Sequence, residues 1–198
     1  MDALFGGSFD PVHMGHLIVA EAVADALGEA VRIRFLPARE QPFKGAVHVA
    51  TPEQRAEMLA LAVMGNPRCT VERIELELPV PSYTVRTLRA LRERDGAQGG
   101  RRGGPGGNRF TLLLGADAAQ DLPQWYEVES LPRLAEVVVF ARPGASIPSH
   151  PLITRVIEVP TVEVSATAIR ARVAAGRSIR YWVPDAVREY IAAHGLYR

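Results

Sequence analysis

Short apolar runs alternate along the chain with stretches whose apolar residues recur at helical spacing. Runs dominated by valine, leucine, isoleucine and phenylalanine are typical of strands that are buried on both faces of a sheet. By this criterion we predict strands at residues 3–5, 31–38, 69–76, 109–117, 136–144 and 152–160. Helices are predicted between and after these strands, at residues 16–27, 51–65, 83–96, 165–177 and 184–195.

Residues that start and stop helices support these predictions. Thr51 is predicted as the N-cap of the second helix, with Pro52 in its first turn and Gln54 at the capping-box position. Gly28 follows the first helix, as a C-terminal glycine does. The alternation of strands and helices predicts a doubly wound, Rossmann-like α/β fold, with a mainly parallel sheet and helices on both faces. Ligands of such sheets bind beyond the carboxyl ends of the strands, at a topological switch point.

The composition is that of an ordinary globular protein. Of the 198 residues, 47% are hydrophobic and 23% are charged. This suits a single domain at residues 1–198, with a C-terminal helical part from about residue 165. The net charge of +1 provides no field that would attract nucleic acid, so we expect no nucleic-acid partner.

Cysteine usage and the distribution of apolar residues indicate the compartment. The single cysteine, Cys69, excludes an internal disulfide framework and suits a reducing environment. No charged segment precedes the first apolar residues, and no apolar run approaches the roughly 20 residues that span a bilayer. We therefore expect a cytoplasmic protein without a membrane partner. A homo-oligomer is compatible with this composition.

A glycine-rich stretch, GAQGGRRGGPGG at residues 96–107, interrupts the alternation of strands and helices. Such a composition cannot bury apolar surface or sustain a helix, so we predict a flexible insertion at about residues 96–108. Arginine–glycine segments bind nucleic acid in other proteins, but one arginine pair is too few for that interpretation. We favour a solvated insertion.

The stretch LFGGSFDPVHMGH at residues 4–16 combines a strand, a glycine turn and the start of a helix. Glycine lets the backbone approach a ligand, and a helix N-terminus favours phosphate. His13 and His16 are three residues apart, so both side chains can face one phosphate. Two other interpretations are weaker. Histidines often only fill space, and a zinc site needs three or four ligands, whereas no third histidine or cysteine lies nearby.

The same stretch carries a family resemblance. GGSFDPVHMGH resembles the signature of the nucleotidyltransferase superfamily with an H-x-G-H motif. Four further segments resemble the bacterial nicotinate-nucleotide adenylyltransferases: PSYTVRTL, GADAAQDLPQW, ARPG and VSATAIR. H-x-G-H alone identifies only the superfamily, whereas the D-x-x-x-D-L-P-x-W pattern is far more specific. The resemblance extends over nearly the whole chain.

The resemblance implies that the chain transfers AMP from ATP to the phosphate of nicotinate mononucleotide. The products would be nicotinate adenine dinucleotide and pyrophosphate. The attacking phosphate is already ionised, so the chemistry needs positioning and charge stabilisation instead of a protein nucleophile. Mg²⁺ would arrive with ATP and keep most of its ligands there, so no metal-binding residue is assigned.

The resemblance also implies roles for individual residues. The implied catalytic residues are His13, His16, Lys44 and Arg170. The implied ATP and phosphate contacts are Gly6, Gly7, Ser8, Phe9, His13, His16, Ser165, Thr167 and Arg170. The implied contacts to nicotinate mononucleotide are Ser8, Lys44, Thr84, Asp117, Trp125 and Tyr126. In this second site Trp125 would stack on the pyridine ring, and Asp117 would hold a ribose hydroxyl. Backbone groups near Thr84 and Tyr126 would receive the carboxylate.

Three positions depart from the family pattern. Phe43 stands where the family usually has histidine, Arg86 where it has aspartate and Ala166 where it has serine. Arg86 reverses a charge near the implied nicotinate pocket, so the preference for the acid over the amide stays open. The alternative hypotheses are a sibling enzyme that uses nicotinamide mononucleotide, phosphopantetheine or a cytidylyl substrate, and a non-catalytic nucleotide sensor.

Overall fold

The structure is a computed structural model that describes residues 1–42, 48–97 and 110–198. In these residues six parallel strands form one sheet in the order β3-β2-β1-β4-β5-β6. The strands are β1 (Asp2–Gly7), β2 (Arg32–Pro37), β3 (Cys69–Val71), β4 (Phe110–Gly115), β5 (Ala135–Ala141) and β6 (Ile153–Glu158). The predicted doubly wound α/β fold is confirmed.

Seven α-helices cover the sheet in the described ranges. They are α1 (Met14–Leu27), α2 (Pro52–Val63), α3 (Ile74–Glu77), α4 (Thr84–Ala97), α5 (Ala116–Gln120), α6 (Ala166–Ala174) and α7 (Asp185–Ala193). Two 3₁₀ helices, Leu122–Gln124 and Val128–Arg133, lie between α5 and β5. Within the same ranges no helix is long and apolar enough to cross a membrane.

The central strands divide their side chains between two apolar layers. Along β1, Ala3 and Phe5 face a core formed with α1, α2, α6 and α7, whereas Leu4 faces a second core formed with α4. This alternation follows from the two-residue period of a strand. It explains why β1 is apolar without interruption and carries helices on both sides.

The switch point of the sheet lies between β1 and β4. β1 pairs with β2 on one side and with β4 on the other, and the chain order reverses across β1. Loops that leave β1 and β4 therefore diverge to opposite faces and leave a crevice at the carboxyl ends of these strands. The turn after β1 and the helix α5 after β4 border this crevice.

The predicted strand at residues 69–76 is wrong beyond Val71, because α3 begins at Ile74. Glu72 explains the change. Its carboxylate accepts the Ile74 N–H at 3.1 Å and is also bound by Arg34 and Arg94. A side chain that binds a backbone N–H two residues on favours a turn over a continuing strand.

The end of α4 overlaps the predicted insertion. Gly96 and Ala97 are the last residues of α4, so the helix continues into the glycine-rich stretch. Residues 98–108 lie outside the described residues, as do Phe43 and Lys44.

Candidate active site

The turn between β1 and α1 depends on two glycines with different surroundings. A Cβ at Gly7 would come within 2.9 Å of the Phe9 ring, which is buried under the turn. A Cβ at Gly6 would meet nothing within 4 Å, and Gly6 lies at the surface of the crevice. Gly7 therefore makes room for the fold itself, whereas Gly6 leaves room for a ligand. Phe9 has a φ of 51°, which turns the chain sharply toward α1.

His13 and His16 form a stacked pair at the start of α1. Their ring centroids are 3.7 Å apart and the ring planes are inclined by 23°. His13 is the N-cap residue, and its backbone N–H donates to Nδ1 of His16 at 3.2 Å. Because Nδ1 of His16 is an acceptor in this bond, the neutral ring carries its proton on Nε2. His16 can therefore donate a hydrogen bond through Nε2.

Burial keeps both histidines neutral. It lowers the pKa of His13 to about 4. Burial also holds the pKa of His16 well below its usual value, and a positive charge on His13 would lower it further. Nδ1 of His13 is buried and has no hydrogen-bond partner among the described residues. This atom faces Gly15 in the first turn of α1.

Gly15, between the two histidines, lets the His13 ring fold over the first turn of α1. A Cβ at this position would lie 3.0 Å from Nδ1 and 3.1 Å from Cε1 of His13. Such contacts are too close for the ring to stay where it is. The glycine of H-x-G-H thus has a steric reason in this structure, independent of any ligand.

Asp10 fastens the turn to two other parts of the chain. Its Oδ2 accepts the N–H of Val49 at 2.9 Å. Its Oδ1 accepts the N–H of Ala50 at 3.2 Å and the hydroxyl of Tyr197 at 2.7 Å. Both carboxylate oxygens are therefore occupied by protein donors, and Asp10 holds the turn in place.

Arg55 fastens the same turn from α2. It is completely buried, and its guanidinium donates to the carbonyl oxygens of Ser8 at 2.6 Å, Arg39 at 3.2 Å and Ala50 at 3.4 Å. The sequence prediction missed this residue. A signal was present, because Arg55 belongs to the buried stripe of α2 together with Met58 and Leu59.

Arg170 reaches the turn from α6. Its Nη1 donates to the carbonyl oxygen of Asp10 at 2.7 Å, and its Nη2 donates to the Thr167 hydroxyl at 3.2 Å. Ser165 is the N-cap of α6, and its hydroxyl accepts the Ala168 N–H at 3.2 Å. The structure thus brings Arg170 to residues 8–16, the segment that carries both histidines and is called the histidine turn below. Contacts of Ser165 and Thr167 to ATP stay predictions.

An open pocket of about 270 Å³ borders the turn on the β4 side. Four of the residues predicted to contact nicotinate mononucleotide line it: Thr84, Asp117, Trp125 and Tyr126. Gly6 and Gly7 line it as well. Ser8 lies outside this lining, with its carbonyl bound by Arg55. Lys44 cannot be placed, because it lies outside the described residues, and its phosphate contact stays a prediction.

Arg86 packs on the aromatic wall of this pocket. The rings of Tyr83 and Tyr126 are stacked with centroids 4.5 Å apart. The guanidinium carbon of Arg86 lies 4.9 Å from the Tyr83 ring and 5.0 Å from the Tyr126 ring. These distances are within the range of cation–π attraction. The charge reversal noted in the sequence therefore places a cation behind two pocket-lining rings.

Polar contacts also hold other residues of the pocket lining in place. Ser82 accepts the backbone N–H groups of Arg39 at 3.1 Å and Glu40 at 3.3 Å, which ties the loop after β2 to the start of α4. Glu75 accepts the Thr87 hydroxyl at 2.8 Å. Burial raises the pKa of Glu75. The sequence prediction missed Ser82 and Glu75, whose partners come from separate elements.

Comparison with known proteins adds an independent observation. Residues 4–172 match the family described as cytidylyltransferase-like. A probable nicotinate-nucleotide adenylyltransferase of Roseiflexus sp. (strain RS-1) is 45% identical over 204 residues, covering 98% of this chain and 96% of the relative. One of the same description from Thermus thermophilus is 47% identical over 195 residues, covering 98% of each chain.

A solved structure supports the fold. The Plasmodium falciparum nicotinic acid mononucleotide adenylyltransferase complexed with NaAD has a TM-score of 0.71. The match covers 99% of this chain and 96% of that chain, at 19% sequence identity. The likeness at this identity concerns the arrangement of strands and helices.

Proposed function

Because the chain belongs to the cytidylyltransferase-like family, and within it to the nicotinate-nucleotide adenylyltransferases, we propose that it makes nicotinate adenine dinucleotide. It transfers AMP from ATP to the phosphate of nicotinate mononucleotide and releases pyrophosphate, a step of NAD biosynthesis.

One observation carries this proposal. Gly6 and Gly7, the last residues of β1, line the aromatic pocket, and the turn that leads to His13 and His16 follows them directly. A transfer between two nucleotides needs two adjacent sites, so that the attacking oxygen and the phosphorus it attacks are held in contact. The absence of a Cβ at Gly6 leaves the space in which the two phosphates meet.

The reaction needs no protein nucleophile. A phosphate oxygen of nicotinate mononucleotide attacks the α-phosphorus of ATP, and the bond from that phosphorus to the bridging oxygen of the β-phosphate breaks. The pyrophosphate leaves with the electron pair. His13 and His16 donate hydrogen bonds to phosphate oxygens as charge develops on them, and Arg170 supplies a fixed positive charge beside the turn. Neutral histidines suit this role, because the donor position is set by the fold before the substrate arrives.

Mg²⁺ enters this scheme as part of the substrate. In the described ranges no group of three or more histidine, cysteine, aspartate or glutamate side chains is arranged to hold a metal ion. Mg²⁺ commonly binds nucleotide phosphates and water with few protein ligands. We therefore assign it to the triphosphate of ATP and derive no step from it.

The pocket is proposed to hold the pyridine nucleotide. Trp125 lies in its lining, half-buried, and would stack on the flat pyridine ring. Asp117 stands in the first turn of α5, just after β4, where it can accept a hydrogen bond from a ribose hydroxyl. Backbone N–H groups near Thr84 and Tyr126 would receive the carboxylate.

The charges of the pocket lining make nicotinamide mononucleotide, the amide, a second candidate substrate. Glu75, Asp117 and Asp121 all line the pocket, and none of the described lining residues carries a positive charge. An uncharged carboxamide would not be repelled by these carboxyl groups. Arg86 acts in the opposite direction, and backbone N–H groups near Thr84 and Tyr126 would favour a carboxylate over an amide NH₂, so we propose the acid as the preferred substrate.

Pyrophosphate release from ATP and Mg²⁺ tests the proposal with nicotinate mononucleotide, nicotinamide mononucleotide and phosphopantetheine in turn. We expect turnover with the first and a kcat/KM at least about 10-fold lower with the second, as the loss of charge-assisted hydrogen bonds predicts. Turnover with phosphopantetheine would contradict the proposal. So would binding of ATP without turnover of either pyridine mononucleotide, which would identify a nucleotide sensor.

A further inference from the structure

Tyr197 connects the C-terminal segment, residues 165–198, to the histidine turn. It is buried, with 5% of its surface exposed, and its hydroxyl donates to Oδ1 of Asp10 at 2.7 Å. The two residues are 187 positions apart in the chain. Tyr197 lies beyond residues 4–172, the part of the chain that matches the family.

Asp10 transmits this contact to the catalytic side of the turn. Phe9 precedes it, and the Phe9 ring packs edge-on against His16, with the ring centroids 4.9 Å apart. A shift of Asp10 would move Phe9 and thereby the ring that supports His16. Since both Phe9 and Asp10 are buried, the turn has little space in which to absorb such a shift.

The C-terminal segment holds the turn at two further points. The carbonyl oxygen of Trp182 accepts the N–H of Met14, the first residue of α1, at 2.9 Å. Arg170 binds the Asp10 carbonyl, as described above. Together with the Tyr197 hydroxyl, these contacts bind the C-terminal segment to Asp10 before His13 and to Met14 after it.

We propose that Tyr197 is a positioning residue for adenylyl transfer: through Asp10 it holds the turn in the geometry that presents His13 and His16 to the phosphates. Tyr197 touches no reacting atom in this scheme. The inference rests on the proposed function. Its structural part, that the hydroxyl sets the position of the histidine rings, holds for the ligand-free protein as well.

Tyr190 provides a matched control. Its hydroxyl also donates to a carboxylate, that of Glu57, and also ties the C-terminal segment to another element, since the contact joins α7 to α2. This bond is exposed and lies outside the histidine turn. Tyr197→Phe and Tyr190→Phe each remove one hydroxyl and keep the ring, so the two variants differ in where the lost bond lies.

Kinetics with both substrates form the first arm of the test. We expect Tyr197→Phe to lower kcat by about 10-fold, because small misplacements of catalytic groups reduce the rate strongly. The KM for nicotinate mononucleotide should stay within about twofold, since the pocket is formed by other elements. Tyr190→Phe should leave kcat within about twofold. An unchanged kcat per folded molecule of Tyr197→Phe, or an equal loss in both variants, would overturn the proposal.

The imidazole resonances of the ligand-free protein form the second arm. We expect those of His13 and His16 to shift in Tyr197→Phe and to stay in place in Tyr190→Phe. This measurement needs no substrate, so it tests the inference even where the wild-type chain turns over a different mononucleotide. Unmoved histidine resonances in Tyr197→Phe would overturn it. So would loss of the fold in Tyr197→Phe alone, because Tyr197 would then act on global stability.

Discussion

The histidine turn and the aromatic pocket lie side by side at the end of β1, yet they are built in different ways. The turn is held by buried hydrogen bonds from residues far away in the chain, such as Arg55 and Tyr197. The pocket wall is held by stacked rings, and Tyr126 at its rim is 40% exposed. The turn therefore presents polar groups that buried hydrogen bonds fix in place, whereas the pocket presents the faces of aromatic rings.

This difference suits what each side is proposed to recognise. Negative charge that develops on phosphate oxygens is stabilised best by donors that are already in position, because reorganising them would cost part of the gain. A pyridine ring is recognised through its faces, and stacking tolerates small displacements. Substitutions in the turn should therefore act on kcat, whereas substitutions in the pocket should act on KM.

The largest effect is expected at His16. His16→Ala removes the Nε2–H donor and the acceptor for the His13 N–H, so we expect the barrier to rise by about 2–4 kcal/mol, with kcat falling accordingly. Steady-state kinetics at saturating ATP and nicotinate mononucleotide measure this loss.

His16→Gln is the matched control for this substitution. Glutamine at this position can still accept the His13 N–H, as in a capping box, and so keeps the start of α1 intact. We expect it to fold like the wild type and still to lose most of the turnover. Full turnover per folded molecule in both variants would show that His16 only supports the helix.

A smaller loss is expected from Gly15→Ala, which adds one methyl group against His13. The ring has to move by a few tenths of an ångström, since the new Cβ would lie 3.0 Å from its Nδ1. Alanine favours a helix over glycine by up to about 1 kcal/mol, so stability should stay level or rise. We expect kcat to fall by about 10-fold without a lower melting temperature. Unfolding curves and kinetics on one preparation separate the two effects, and parallel losses of both would contradict the steric argument.

Signals that are local in the chain predicted the fold well. Thr51 and Gln54 form the predicted capping box, with bonds of 3.0 and 3.2 Å between them. Gly28 ends α1 with a φ of 111°. The uninterrupted apolar strands predicted the parallel sheet, because a strand covered on both faces needs apolar side chains on both.

Contacts between distant residues could not be predicted in the same way. Asp10 belongs to the GGSFDPVHMGH signature, but its partner Tyr197 is 187 positions away. Glu72 was predicted within a strand, but its bonds to Arg34 and Arg94 depend on where β2 and α4 pack. Only the geometry of the folded chain sets these pairs, so the sequence located the turn and the pocket but not the bonds that hold them.

The pocket side is tested most directly at Trp125. Trp125→Ala removes a stacking surface worth about 1–3 kcal/mol, so the KM for nicotinate mononucleotide should rise by roughly 10-fold or more. The KM for ATP should change little. Trp182→Ala is the control, because Trp182 contacts the turn through its backbone carbonyl and packs its ring near Arg172. A rise in the KM for ATP alone would contradict the prediction, because Trp125 would then belong to the ATP site.

The smallest effect on activity is expected at Arg86, a charged residue that packs on two aromatic rings of the pocket. Its guanidinium is exposed and lies about 5 Å from two tyrosine rings. Exposed charges contribute at most about 1 kcal/mol, so Arg86→Ala should lower the kcat/KM ratio of the acid over the amide mononucleotide by about threefold. Arg89→Ala, three residues along the same helix and paired with Glu127, is the control and should leave the ratio unchanged.

The effect of Arg86→Ala should shrink at high salt, because screening weakens an exposed charge. A ratio that is equal in both variants and independent of salt would show that the carboxylate is selected by backbone groups alone.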